Sequence, residues 1–235
     1  MNSILNKFQI PSSFSPVDRT WQALRFGNLV YYRNFKAASS SYLELLDRQL
    51  GWTPITINEV DWNKDHVFGH IRDPFERRIA GLAEYVFKIY QEENPHNYND
   101  DSFLALVTHP YFVQMIGRVS VLDDHTVPLY QILGHYSELV DWIPMDRPDI
   151  NHVLATTKLL THYGIQLDQA IDEKKRNVST GIKKQFINQL RSLHRSNLVV
   201  TDLDYDDILY QHVITFFDFS KTQWQDISWL KKKYE

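Results

Sequence analysis

The sequence predicts an α/β domain of three layers, with a central, mostly parallel sheet flanked by helices. Three observations predict it. Strand-like and helix-like segments alternate along the chain, as they do where helical crossovers join parallel strands. Two strand-to-helix passages are sharp, with helix-starting residues directly behind the last β-forming ones. The chain has 235 residues, 43% hydrophobic and 23% charged, enough for one large core that needs no disulfide or metal brace.

Residues 1–20 read as an N-terminal arm or loop, with serines and prolines crowded between Pro11 and Pro16; residues 21–235 read as a single domain. Leu29–Phe35 (LVYYRNF) is rich in β-formers and predicts the first strand. A helix follows, with Leu43, Leu46 and Leu50 on one face, Ser41 and Glu44 at capping-box spacing, and Gly51 as its stop. Thr53–Val60 and Val67–Ile71 predict two more strands. Phe75, Ile79, Leu82, Val86 and Ile89 form the apolar stripe of a long helix, which Asp73 caps, Pro74 opens and Glu76 completes three residues on. Further helices are expected over Phe103–Met115, Asn151–Tyr163, Lys183–Leu193 and Tyr205–Val213, and further strands over Leu139–Ile143 and Val199–Leu203.

Composition removes several classes of function. With no cysteine there is no disulfide, thiolate zinc site, iron–sulfur cluster or cysteine nucleophile. A formal charge of −4, from 25 Lys and Arg against 29 Asp and Glu, lacks the basic field of non-specific nucleic-acid binding. No apolar run reaches the roughly 18–20 residues of a membrane span. Met1–Thr20 has one lysine before its first proline and no apolar core, unlike a signal peptide. A cytoplasmic location is the resulting expectation.

In α/β sheets ligands bind beyond the carboxyl ends of the strands, and two segments fall there. The first is Phe35-Lys36-Ala37-Ala38-Ser39-Ser40-Ser41. A loop that opens a helix offers unpaired backbone N–H groups and the positive end of the helix dipole, which suit a phosphate. The serines add hydroxyl donors and Lys36 adds a mobile charge. The pattern is P-loop-like, but the glycines of G-x-x-x-x-G-K-[ST] are absent and the lysine precedes the serines. A serine-capped helix with an incidental lysine fits the same residues. The second segment is Arg72-Asp73-Pro74-Phe75-Glu76-Arg77-Arg78. It reads either as a well-capped helix whose arginines pair with Glu76, Glu84 or solvent, or as a second anion site with Arg72 gripping a phosphate in bidentate fashion.

Together, K-x-x-S-S-S behind the first strand and R-D-P-F-E-R opening a helix about 36 residues later resemble the sulfotransferases that use 3′-phosphoadenosine 5′-phosphosulfate (PAPS), in particular their carbohydrate branches. Later echoes extend the resemblance over roughly residues 29–215. Asp123-Asp124-His125-Thr126-Val127-Pro128 is similar to the family's H-W-x-P segment, with Thr126 where Trp is usual. Lys174-Lys175-Arg176-Asn177 is similar to its basic nucleotide loop, and Tyr205-Asp206-Asp207-Ile208-Leu209 to its late helix.

The resemblance implies roles residue by residue. Lys36 would contact the oxygen bridging the 5′-phosphate and the sulfuryl group, where charge grows as the S–O bond breaks. The backbone of Ala37, Ala38, Ser39, Ser40 and Ser41, with the serine hydroxyls, would hold the 5′-phosphate, and Arg72 the 3′-phosphate. Lys174, Lys175 and Arg176 would close over the nucleotide. The acceptor's proton needs a base, and Glu59 and His125 are the candidates; His70, inside a strand, reads as structural. Two departures stand out: Phe35 replaces the usual proline before the lysine, and Ala80 replaces a serine that shares the 3′-phosphate. The expected reaction moves a sulfuryl group from PAPS to a hydroxyl, on a carbohydrate or glycoconjugate, leaving PAP, with no metal. The family's secretory members carry cysteines and a membrane anchor, so a bacterial or viral type is implied. The rival expectations are a non-catalytic module that binds PAP on the same fold, and a kinase with an unusual phosphate loop.

Overall fold

The computed structural model describes residues 23–37, 39–93, 101–117, 125–147, 149, 151–166, 181–192 and 203–217. The expected N-terminal arm, most of the Val199–Leu203 strand, Ala38 and the basic residues Lys174, Lys175 and Arg176 lie outside them. The chain divides into two compact units. Of the described residues, one unit holds the sheet, with 23–73, 129–166 and 204–217, and the other holds 74–93, 101–117, 125–128 and 181–192.

The sheet unit begins one strand earlier than the sequence reading. Strand β1 (Ala23–Phe26) turns through Gly27 and Asn28 into β2 (Leu29–Tyr32). Gly27 sits at φ +59°, the left-handed backbone that two-residue hairpins need. Helix α1 (Ser39–Leu43) continues without a break as a wider, π-type stretch, Glu44–Gln49. It ends at Gly51, which at φ +67° donates its N–H to Asp47 C=O while Trp52 donates to Leu46 C=O, a left-handed cap. Strand β3 (Thr53–Ile55) is shorter than expected, because a single 3-10 turn at Ile57–Glu59 takes over. Strand β4 (His66–Ile71) follows.

Helix α2 (Pro74–Glu93) opens the second unit, which also contains α3 (Asp101–Thr108) and α4 (Pro110–Gly117). One helix was expected over Phe103–Met115. Pro110, lacking an N–H and restricting the residue before it, splits that span at His109. The chain returns to the sheet unit with α5 (Leu129–Leu133), a 3-10 stretch (Gly134–Leu139), β5 (Asp141–Pro144) and α6 (His152–His162). Helix α7 (Gly181–Ser192) belongs to the second unit, and α8 (Leu203–Phe216), from Asp204 on, to the sheet unit.

The sheet order is β3-β1-β2-β4-β5. β2, β4 and β5 are parallel neighbours, whereas β1 is antiparallel to both β2 and β3. The sheet is therefore mixed rather than mostly parallel, because the tight hairpin at Gly27-Asn28 inserts an antiparallel β1 between β2 and β3. Both faces are covered, which makes this unit three-layered by itself. On one face Leu24, Leu29, Tyr31, Phe68 and Ile143 pack under Tyr42 and Leu46 from α1 and Ala155, Leu159 and Leu160 from α6. On the other, Val30, Tyr32, Val67 and Trp142 pack under Leu129 and Leu133 of α5 and Leu209 and Tyr210 of α8. The alternation along each strand puts every second residue on each face.

In the second unit Ile79, Leu82, Val86 and Tyr90 of α2 meet Phe103 and Val107 of α3, Phe112 and Ile116 of α4 and Phe186 and Leu190 of α7. Glu76 pairs with Arg191, Nη2 to Oε2 at 2.7 Å, and Glu84 with Lys183. Among the described residues no helix is long and apolar enough to cross a membrane.

Candidate functional site

Ile55, Ala23, Tyr32, Gly69 and Trp142 lie in one row across the sheet, so the carboxyl ends of β2, β3, β4 and β5 share one edge. From β2 the chain runs to β3 on one side of the strand order; from β4 it runs to β5 on the other. β2 and β4 thus flank a topological switch point, where α/β sheets bind ligands. The segments leaving these two strands are those carrying Lys36 and Arg72.

The loop after β2 is a strained turn. Ala37 donates its N–H to Asn34 C=O at 3.2 Å, closing a turn over Phe35 and Lys36, and Lys36 has φ +64°. Turns give this third position to glycine or asparagine. A lysine there costs on the order of 1–3 kcal/mol, and such strain concentrates at functional sites. Phe35, standing where the sulfotransferase pattern has proline, carries Arg33 over its ring at 4.6 Å. Behind the turn Ala37 and Ser39 are buried, Ser41 is half-buried and Ser40 is exposed. Ser39 and Ser40 are the first residues of α1, where backbone N–H groups have no partner within the helix.

Arg72 directly follows β4, with Nε 3.5 Å from Oδ1 of Asp146, which lies just beyond β5. The other oxygen of Asp146 accepts the N–H of Asp73 at 2.7 Å. Sequence reasoning missed Asp146, because its relation to Arg72 exists only through the pairing of β4 with β5. It also missed Asn34, whose Nδ2 donates to the His70 carbonyl at 2.9 Å.

Beneath the loop lies a buried polar chain. Tyr42, one helical turn after Ser39, stacks on His70 with ring centroids 3.9 Å apart. His70 Nε2 lies 2.9 Å from Thr156 Oγ1, and the Thr156 hydroxyl reaches both His152 C=O at 2.8 Å and Tyr42 Oη at 3.3 Å. Burial, reinforced by His152, pushes the His70 pKa well below that of an ordinary histidine. Tyr42 Oη and His152 Nδ1 are 2.9 Å apart. These contacts make His70 the structural residue expected of its place in a strand.

Glu59 ends the 3-10 turn and forms a capping box, its Oε2 accepting the Thr56 N–H at 2.6 Å and hydroxyl at 2.8 Å. Those bonds, the backbone one foremost, lower its pKa, which makes it a weaker proton acceptor. His125 lies in the other unit, on a turn that approaches α2 at Gly81; a Cβ there would stand 2.1 Å from the His125 carbonyl oxygen. Arg77 and Arg78 are buried in the same unit and donate to the Val127 and Thr126 carbonyls, the latter at 2.7 Å. Through these bonds they hold the 125–128 turn. Ala80 is half-buried in α2. In the late motif, Asp206 accepts the N–H groups of Leu129 and Tyr130 at 2.7 and 3.0 Å, capping α5. Trp62, in the segment leading into the amino end of β4, stacks on Tyr136 with ring centroids 4.6 Å apart.

Compared with protein-family models, curated proteins and solved structures, the chain matches none.

Proposed function

We propose that this chain is a sulfotransferase that moves a sulfuryl group from PAPS to an acceptor hydroxyl, on a carbohydrate or glycoconjugate, through a P-loop-like site at the β2/β4 switch point. The observation that carries the reading is Lys36. It is held at φ +64°, in the loop leaving β2 beside the strand that delivers Arg72. A cationic, serine-rich edge of this kind fits a nucleotide with two phosphate positions.

PAPS supplies an activated sulfuryl group on a good phosphate leaving group. Lys36 neutralises the charge that develops as that bond breaks. Ser39, Ser40 and Ser41, with the start of α1, hold the 5′-phosphate, and Arg72 holds the 3′-phosphate. The acceptor oxygen takes the sulfuryl group, its proton passes to a base, and PAP is left. His125 and Glu59 remain the candidate bases. One observation favours the second reading, a non-catalytic PAP-binding module: the Glu59 carboxylate is bound to Thr56 and its pKa is lowered.

Thermal unfolding with PAP, AMP or ATP–Mg²⁺ tests both readings. Ligand at about 100 times its Kd adds roughly 2.7 kcal/mol, which at 2–4 °C per kcal/mol is about 5–11 °C. A shift specific to PAP and reduced in Lys36→Ala and Arg72→Ala is expected. Transfer from labelled PAPS to an acceptor panel then separates enzyme from module. No shift with millimolar PAP would sink both, and a shift only with ATP–Mg²⁺ would indicate a kinase.

A further inference from the structure

We propose that Asn34 is a positioning residue that sets the spacing between the two anion-binding loops, and so the preference for a nucleotide with two phosphates over one with a single phosphate. The inference rests on the reading of Lys36 and Arg72 as phosphate ligands.

Asn34 joins both halves of the switch point. Its main-chain carbonyl accepts the Ala37 N–H at 3.2 Å and so closes the turn that holds Lys36 in left-handed backbone. Its side chain crosses to the neighbouring strand, Nδ2 donating to His70 C=O at 2.9 Å, two residues before Arg72. The residue is 1% exposed, so water does not compete for that bond. Its Oδ1 is buried with no partner among the described residues. A buried acceptor left unpaired costs stability, so burial alone favours an apolar residue of the same size; what asparagine adds is the bond to β4. The two bonds act on different atoms. Substitution of the side chain leaves the main-chain turn around Lys36 intact but unties the loop from the strand carrying Arg72.

The two contributions separate in calorimetric titrations of the full chain with PAP and AMP. A charge-assisted contact from Arg72 to the second phosphate makes PAP bind about 10–100 times more tightly than AMP in the native protein. In Asn34→Leu, near in volume but unable to donate, that ratio is expected to fall to within about threefold, with AMP affinity within about twofold of native. Asn34→Ala should behave alike. An equal loss of both affinities would mean a merely structural residue, and an unchanged ratio in a folded variant would overturn the proposal directly. Hydrogen exchange of the Asn34 side-chain amide, read by NMR on the native chain, keeps the test independent of ligand and of variant folding. A protected proton is expected; exchange at the rate of a free amide would overturn the clamp whatever binds. A protected amide in a native chain that binds neither PAP nor AMP would instead overturn the sulfotransferase reading, and the specificity role with it.

Discussion

Lys36 is, among the described residues, the one non-glycine with left-handed backbone. Lys36→Gly relieves that strain of about 1–3 kcal/mol while loosening the unfolded chain by up to about 1 kcal/mol, two effects of opposite sign. Its melting temperature is therefore expected between that of the native chain and several degrees above it. Lys36→Val keeps the strain and adds a β-branched clash, so it should melt several degrees below Lys36→Gly, at roughly 2–4 °C per kcal/mol. Both should lose the PAP-induced shift. Equal melting temperatures for the two variants would show that the turn at Lys36 is not strained. The loop's lysine and serines were legible in the sequence because their chemistry is local. The left-handed angle was not, since lysine gives no signal for it. Nor were Asn34 and Asp146, whose partners His70 and Arg72 are distant in sequence and meet them only when β4 pairs with β2 and β5.

Elements were legible where the pattern was regular and their stops explicit. The long α2 stripe, with Pro74 at its start, and the Gly51 stop of α1 are such cases. Two other stops are single local signals. Gly27-Asn28, a two-residue turn between Phe26 and Leu29, marks the β1–β2 hairpin, and Pro110 marks the break between α3 and α4. The 125–128 turn depends on elements too. Gly81 lets the His125 backbone lie against α2, where any Cβ would stand 2.1 Å from that carbonyl oxygen. Gly81→Ala is expected to cost about 1–3 kcal/mol by overpacking, because the atom it meets is backbone and must move. Chemical denaturation measures this cost, and a loss below about 0.5 kcal/mol would show that the turn yields easily.

At the scale of the whole molecule, the buried His70 couples stability to pH. Its folded pKa lies well below the ordinary value of 6.5, chiefly through burial. The unfolded chain therefore takes up a proton first as pH falls. The stability that neutral His70 contributes is complete above about pH 6.5 and is lost below it, at up to about 1.4 kcal/mol per pH unit. Denaturant unfolding at pH 7.5 and pH 5 should show this loss, and His70→Phe, which keeps an aromatic ring against Tyr42, should reduce it. An identical pH dependence in that variant would show that His70 is not its source.

The sequence by itself determined the α/β class, most helices and strands, and the two loops with their Lys36, serines and Arg72. These follow from periodicity, caps and side-chain chemistry, which act over a few residues. Only the tertiary structure decided that the sheet is mixed, that β2 and β4 flank the switch point, that Glu59 is bound to Thr56 and that Asn34 ties the loop after β2 to strand β4. Strand order and buried hydrogen bonds join residues far apart in the chain, and which donor reaches which acceptor is set by the packing of the sheet as a whole.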